Sequence, residues 1–240
     1  MNKLGLIHDG VSIKVYDTDE PGTAIIHFTD DITAYYKIKK AVINGKGVVC
    51  NNIACITSKA VQDGGVPTYF IRQLSDDEQL CHKVKLIPLE VIVRNVVAGS
   101  LAQRLGLEEG LIPSEPMYDL CYKSEELADP LINDYHALAL GIATREELDQ
   151  IYSMTKRINA ILVPLFDKAG IILVDYKIEF GRTEDGTIMM SDDITPDNAR
   201  FWDKQTKKRL DKDRFRRDYG HVGESYREVM DRLHKAVYGI

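Results

Sequence analysis

Residues 171–180, IILVDYKIEF, alternate so as to predict a strand with Asp175, Lys177 and Glu179 on one face and Ile172, Val174, Tyr176, Ile178 and Phe180 on the other. Asp185-Gly186 is a strong turn signal, and a strand over 187–191 that returns antiparallel brings Asp192 and Asp193 back near Glu179. Carboxylates converging on a lysine from two strands are hard oxygen donors of the kind Mg²⁺ takes, above all when phosphate oxygens complete its shell. Without a cation such a cluster repels itself, which favours a magnesium-nucleotide site over the competing reading, an edge strand with one solvated face. Arg94 and Ser100 flank a turn after an apolar strand, and Arg200 lies in TPDNARFW. An arginine fork with a nearby hydroxyl suits a phosphate or carboxylate, whereas an arginine taken singly more often serves a surface ion pair.

Other chemistries lack their residues. The six histidines show no metal-ligand spacing, and neither a G-x-S-x-G elbow nor a Cys-His pattern offers a covalent nucleophile. A G-x-x-x-x-G-K-[ST] loop and a G-x-G-x-x-G fingerprint are both missing, so a nucleotide must be held by another device. DKDRFRRD at 211–218 is basic, but its acidic residues nearly cancel it and no aromatic platform accompanies it, so it reads as a solvated helix start rather than a nucleic-acid contact.

The elements that must position these groups follow from periodicity. A β-hairpin is predicted from the alternation at 11–15 and 24–28 around DTDEPG, then a helix from Val49, Ile53, Ile56 and Ala60 to the stop at Gly64-Gly65. Strands follow at 68–74, 79–86 and 89–97, and a short helix at 101–105 closes on Gly106. Thr144 and Glu147 form a capping box for a helix running to Gly170 and bent near Pro164. A last amphipathic helix spans 213–237, interrupted at Gly220 and Gly223.

With 240 residues, 44% of them hydrophobic, the chain can bury one substantial core or two small ones. Its net charge of −6 argues against coating nucleic acid or an anionic membrane. The N-terminus carries neither a secretory nor a presequence pattern, and no apolar run is long enough to span a bilayer. The four cysteines match neither a disulfide framework nor a zinc ribbon and read as small core hydrophobes in a cytoplasmic, reducing setting.

The blocks PLEVIVRNVVAGSLAQRLGLEEG, DPLINDYH, LVDYKIEFGR, SDDITPDNARFWD and DKDRFRRD, in order from about residue 44 to the C-terminus, resemble the motifs of the phosphoribosylaminoimidazole-succinocarboxamide (SAICAR) synthase family. The resemblance implies a two-lobed α+β fold. A small antiparallel-sheet lobe at 1–84 would bind nucleotide, and a larger ATP-grasp-like lobe at 85–240, with a C-terminal helix, would bind substrate and metal. It implies an ATP- and Mg²⁺-dependent ligase that joins L-aspartate to a carboxyaminoimidazole ribotide, works as a homodimer or larger, and uses neither nucleic acid nor membrane. Carried over by position, Glu179 and Asp192 are the metal ligands, Gly10 and Lys123 meet ATP and the Lys85-Leu86 backbone meets its adenine, while Lys14 joins the ATP contacts as a cation at a new position. Arg94, Ser100, Asp129, Arg200 and Arg216 meet substrate, and Asp175 and Lys177 lie at the reacting carboxylate. The first hairpin departs from the family's G-K-x-K-x-[IV]-Y, with Val11 and Ile13 at the lysine positions, and Thr33-Ala34-Tyr35-Tyr36-Lys37 stands for [ST]-A-x-[DN]-G. That leaves open a diverged paralogue with weakened ATP binding, acting as a ribotide-binding protein or as a ligase for another substrate.

Overall fold

The computed structural model describes residues 2–35 and 37–239; Tyr36, one of the departing loop positions, lies outside them. The chain opens with strands β1 (Lys3–Asp9), β2 (Ile13–Thr18) and β3 (Thr23–Phe28), the predicted hairpin being β2–β3 and β1 an edge strand that the alternation did not reveal. A small hairpin, β4 (Asp31–Ala34) and β5 (Lys39–Val42), leads into helix α1 (Lys46–Asp63), and β6 (Phe70–Gln73) and β7 (Glu78–His82) complete an antiparallel sheet in the order β1-β2-β3-β7-β6. The Asp30 carboxylate accepts hydrogen bonds from the amides of Gly45 (3.0 Å) and Gly47 (2.9 Å), satisfying donors that the start of α1 would otherwise leave free.

A second sheet begins at β8 (Lys85–Arg94), so the strand expected over 79–86 is in fact two, broken at Lys83-Val84 where the chain passes between sheets. After α2 (Gly99–Leu105) come β9 (Met117–Tyr122), a 3₁₀ turn at Glu125–Leu127, β10 (Leu131–Ile132) and α3 (Asp134–Ala139). Helix α4 (Arg145–Lys168) runs on through Pro164, capped as expected: Thr144 accepts from the Glu147 amide (3.2 Å), and Glu147 accepts in return (2.8 Å). Next come β11 (Ile171–Arg182), β12 (Ile188–Met190), β13 (Ala199–Asp203), α5 (Asp213–Arg216) and α6 (Val222–Tyr238). The last two were expected as one helix; the break falls at 217–221, and Gly223 sits inside the first turn of α6.

The second sheet runs β10-β9-β8-β11, and the far edge of β11 is shared: β13 pairs with its first half and β12 with its last. Tyr176, Ile178 and Phe180 point to one face with Val91 and Val93 of β8, and the i, i+3/i+4 stripe of α4, Leu148, Ile151, Ile158, Leu162 and Phe166, covers the same core. Asn159 on α4 crosses that core to exchange hydrogen bonds with Asn95 (3.0 and 2.8 Å) and to accept one from the Tyr176 hydroxyl (3.2 Å), which fixes the end of β8. The opposite face of the sheet carries the charged side chains.

The two sheets are stitched together. Met190 of β12 exchanges backbone hydrogen bonds with Pro67 and Tyr69, and one hydrophobic cluster continues from Ile26 and Phe28 through α1 to α4 and α6. Replacing Ile158, which is fully buried, with alanine should therefore destabilise the whole molecule by about 2–5 kcal/mol. The check is the midpoint of a single urea transition followed by circular dichroism; two separate transitions would show that the sheets unfold independently.

Candidate functional site

Because β12 and β13 share one edge of β11, the connecting loop, residues 191–198, leaves the sheet opposite Lys177 and Glu179. Backbone hydrogen bonds fasten it there, from the Ser191 amide to Glu179 O (2.9 Å) and from the Lys177 amide to Asn198 O (3.1 Å). The Lys177 ammonium bonds Glu90 Oε1 at 2.9 Å, pairs with Glu179 and lies 3.6 Å from Asp192 Oδ2. Lys123, arriving from the end of β9, takes the other oxygen of Glu179.

The electrostatics follow from this crowding. Burial pushes the Glu179 carboxyl up, but Lys177 and Lys123 outweigh it and hold the group below its usual range. Burial alone would lower the Lys177 ammonium, yet Asp192, Glu179 and Glu90 raise it well above normal, so it stays charged. Asp192 is raised strongly, by burial first and then by Glu179 and Asp193, with Lys177 opposing. Its Oδ2 is buried and accepts no hydrogen bond among the described residues. An orphaned carboxylate oxygen beside Glu179 is a fit for a hard cation. The described residues do not assemble three or more His, Cys, Asp or Glu ligands around one point, so Mg²⁺ held here would need oxygens from a bound phosphate.

A second array lies across the same face. Asp175 of β11 stands between Arg94 of β8 and Arg200 of β13 in the strand register. Arg200 donates to Asp175 Oδ2 (2.8 Å) and Asp213 Oδ2 (2.9 Å), and Arg216 donates to Asp213 Oδ1 (2.7 Å). On the other side Arg94 donates to Asp119 Oδ2 (2.6 Å), reaches Asp175 Oδ2 at 3.5 Å and Ser100 Oγ at 3.4 Å, and Asp119 also accepts from Arg104 (2.7 Å). Charges thus alternate from Arg104 to Arg216. Gly99 permits the approach of Arg200: its φ is +54°, and a Cβ there would sit 2.4 Å from Arg200 Nη2.

Both arrays border one cleft of about 1010 Å³, room for a nucleotide together with a second small molecule. Its other wall is the first sheet, where Ile13, Val15, Ala24 and Ile26 make an apolar surface. Of the expected residues, Gly10, Leu86, Ser100, Lys123, Asp129, Lys177, Glu179, Asp192, Arg200 and Arg216 all line this space. At Gly10 a Cβ would meet Ile13 O at 2.7 Å, so the turn between β1 and β2 closes only on glycine.

Other expectations need correction. Lys14 faces away from the cleft, as strand alternation requires once Ile13 and Val15 face in, and it pairs with Asp9 at 3.2 Å. The Lys85 side chain is exposed and Leu86 lines the cleft, which is compatible with the expected contact, a backbone one from the Lys85-Leu86 segment. Arg94 and Asp175 are 2% and 3% exposed and lie behind the cleft lining, in contact with Ser100 and Arg200, which do line it. The 211–218 segment is no solvated helix start: Asp211, Asp213, Arg214 and Phe215 are buried. Burial and Asp213 raise the Asp211 carboxyl to about 7.

Sequence reading missed Glu90, Asp119 and Asp213 as partners of the functional cations. A carboxylate inside the apolar run PLEVIVR was a signal for Glu90; Asp119 carried none, and Asp213 was hidden in a charge run. Burial pushes the Asp213 carboxyl up, but Arg200 and Arg216 more than offset it and hold it at about 2. A depressed acid stabilises the fold above its unfolded value of about 4 and loses that contribution as pH falls through about 2. Asp213→Asn should accordingly lower stability at pH 7 and flatten the acid limb of the stability curve between pH 4 and 2, read from urea midpoints across pH.

A family model described as SAICAR synthetase matches residues 6–233. The phosphoribosylaminoimidazole-succinocarboxamide synthase of Fusobacterium nucleatum is 48% identical over 233 residues, covering 97% of this chain and 98% of that protein. The crystal structure of the enzyme of that name from Ehrlichia chaffeensis superposes with a TM-score of 0.94 at 39% identity, covering 96% of this chain and 98% of that one. A SAICAR synthetase in complex with ADP does so at 0.92 and 42% identity, covering 95% and 97%. With a family model matching residues 6–233 and relatives alike in sequence and in fold over nearly the full length, the chain belongs to the SAICAR synthetase family.

Proposed function

We propose that the protein is an ATP-dependent ligase of purine biosynthesis that joins L-aspartate to 5-amino-1-(5-phosphoribosyl)imidazole-4-carboxylate, giving SAICAR, ADP and phosphate. The observation that carries this reading is the pairing, in one cleft, of a carboxylate–lysine cluster with an arginine array, within a chain matched end to end by its relatives. A carboxylate is a poor electrophile because oxide is a poor leaving group. Its oxygen attacks the terminal phosphorus of ATP, the bond to the bridging oxygen breaks, and ADP departs, leaving an acyl phosphate. The aspartate amine then attacks the acyl carbon, and phosphate leaves with the C–O electron pair and, finally, the amine's proton.

Residues 1–84 form the nucleotide lobe in this reading and residues 85–240 the substrate lobe. The apolar wall of Ile13, Val15, Ala24 and Ile26, with Leu86 at the junction, accepts the base, and Lys123 and Lys177 neutralise the transferred phosphoryl group. Glu179 and Asp192 would hold Mg²⁺, whose chemistry is to spread charge over the phosphate oxygens. Arg200 and Ser100 hold the ribotide's anionic groups, oriented from beneath by Arg94 and Asp175. The alternative of a ribotide-binding protein with weakened ATP use has less support. Val11 and Ile13 do face the cleft as apolar side chains, but Lys123, Lys177, Lys37 and Lys83 border it too.

A homodimer or larger assembly in the cytoplasm completes the proposal. Exposed apolar side chains at Leu107, Leu111, Ile112, Tyr135 and Leu140, and four free cysteines, support it; among the described residues no helix is long and apolar enough to cross a membrane.

The purified protein should release phosphate only when ATP, Mg²⁺, ribotide and L-aspartate are all supplied; release indifferent to the ribotide would sink the proposal. Glu179→Gln and Asp192→Asn should each cut kcat by about 100-fold or more, as losing charge stabilisation in a transition state does. Arg200→Ala should instead raise the ribotide KM, by about 10-fold or more for a lost charge-assisted contact. Steady-state kinetics with each substrate varied in turn separates the two patterns.

A further inference from the structure

Strand register fixes Arg94, Asp175 and Arg200, but it does not reach Ser100, which stands outside the sheet at the start of α2. Among the described residues the Ser100 hydroxyl meets only Arg94, at 3.4 Å, and Ala98 offers α2 no side-chain cap. The missing acceptor comes from Glu109, in the loop between α2 and β9. Its Oε1 accepts from the Gly99 amide (3.3 Å) and from Arg217 Nη2 (2.9 Å), and its Oε2 accepts from Arg217 Nη1 (3.2 Å) and Arg209 Nη2 (2.8 Å). Two backbone bonds pin this loop to the segment leaving β8, from the Gly110 amide to Val97 O (2.8 Å) and from the Val97 amide to Leu111 O (2.8 Å). Arg209 lies over the Trp202 ring of β13, 4.8 Å from its centroid, and Arg217 follows Arg216 at the end of α5. One carboxylate therefore joins the start of α2 to arginines 100 and 108 positions away from it in the chain. Glu109, Arg209 and Arg217 all lie off the cleft lining.

We propose that Glu109 is a positioning residue of the reaction: it holds Ser100 at a fixed distance from Arg200, so that hydroxyl and guanidinium meet the ribotide together, and it touches no substrate itself. This rests on the ligase reading above. Gly99 already lies against the Arg200 guanidinium, so a small shift at the start of α2 changes the spacing of the two groups directly. Lone surface ion pairs contribute little, but here one carboxylate takes four donors, two of them from the fork of Arg217, and its side chain is only 26% exposed. Burial pushes the Glu109 carboxyl up, yet Arg217 and the Gly99 amide hold it below its usual range, so all four bonds are charge-assisted at neutral pH. A glutamine at this position keeps the size, loses the charge and turns one acceptor into a donor that faces arginine donors.

Glu109→Gln should raise the ribotide KM by about fivefold or more while the KM values for ATP and L-aspartate stay within about twofold. In a Ser100→Ala background the same change should add less than about twofold, because a residue that acts through Ser100 then has nothing left to hold. A glutamate that served the fold alone would shift the urea midpoint and leave the three KM values in their original ratio. An unchanged ribotide KM, a rise shared equally by ATP, or full additivity with Ser100→Ala overturns the assignment. If Glu109→Gln does not fold by circular dichroism, Arg217→Met, which removes two of the four bonds from the outer side, carries the same comparison. Calorimetric titration of the ribotide needs no turnover and separates the two readings. A wild-type protein that makes no amide, yet binds the ribotide more tightly than Glu109→Gln does, sinks the ligase reading and keeps the role of Glu109; equal binding by both proteins overturns that role.

Discussion

The structure depends on how charge is buried. Asp175, Glu179, Asp193 and Asp213 are all less than a tenth exposed, and an isolated ionised carboxylate at such depth would cost far more than a domain's whole stability. The fold meets this constraint with strand register. Antiparallel pairing puts Arg94, Asp175 and Arg200 side by side on three strands, so each charge meets an opposite one without any loop having to find it. Such pairs add little net stability, because desolvation offsets most of the attraction, but removing one member leaves its partner stranded. What they supply is direction: the guanidinium of Arg200, on the lining of the cleft, is held from two sides by Asp175 and Asp213.

The two faces of the second sheet divide the labour. One is apolar and fixed to α4; the other is charged and faces the first sheet across the cleft. The cleft walls differ correspondingly, with apolar side chains from β2 and β3 opposite a surface of lysines, arginines and carboxylates. A ligand with a flat apolar base at one end and phosphates at the other is matched by that contrast. The backbone bonds joining Met190 to Pro67 and Tyr69 tie the walls together beside the site, so their relative position is set by secondary structure and not by a flexible linker.

Much of this was legible in the chain itself. The alternation in IILVDYKIEF told correctly that Lys177 and Glu179 lie opposite Tyr176, Ile178 and Phe180, but an irregularity between Leu173 and Asp175 breaks it, so Ile172 and Val174, expected on the face of Tyr176, pack instead in a separate cluster with Val96, Ala98 and Trp202. The capping box at Thr144 was legible for a local reason, since both of its hydrogen bonds lie within four residues. Lys14 shows the limit: it was expected to stand in for the lysines replaced by Val11 and Ile13, but with those two lining the cleft the strand's parity turns Lys14 to the other face, where it pairs with Asp9. The role of Asp213 was invisible, since its partners are Arg200 and Arg216, brought together only when β13 and α5 meet. β4, β5, β9 and β13 were not anticipated, being short or dependent on pairing partners far along the chain.

The loop between β12 and β13 has a further consequence. Its eight residues join anchor points only four positions apart on β11, a span of about 13 Å, so surplus chain must arch out of the plane whatever its composition. The arch is a rigid stage whose footings are fixed and whose actors are interchangeable. Evolution can recast the side chains upon it, and with them the ions and molecules received, without disturbing the beams beneath.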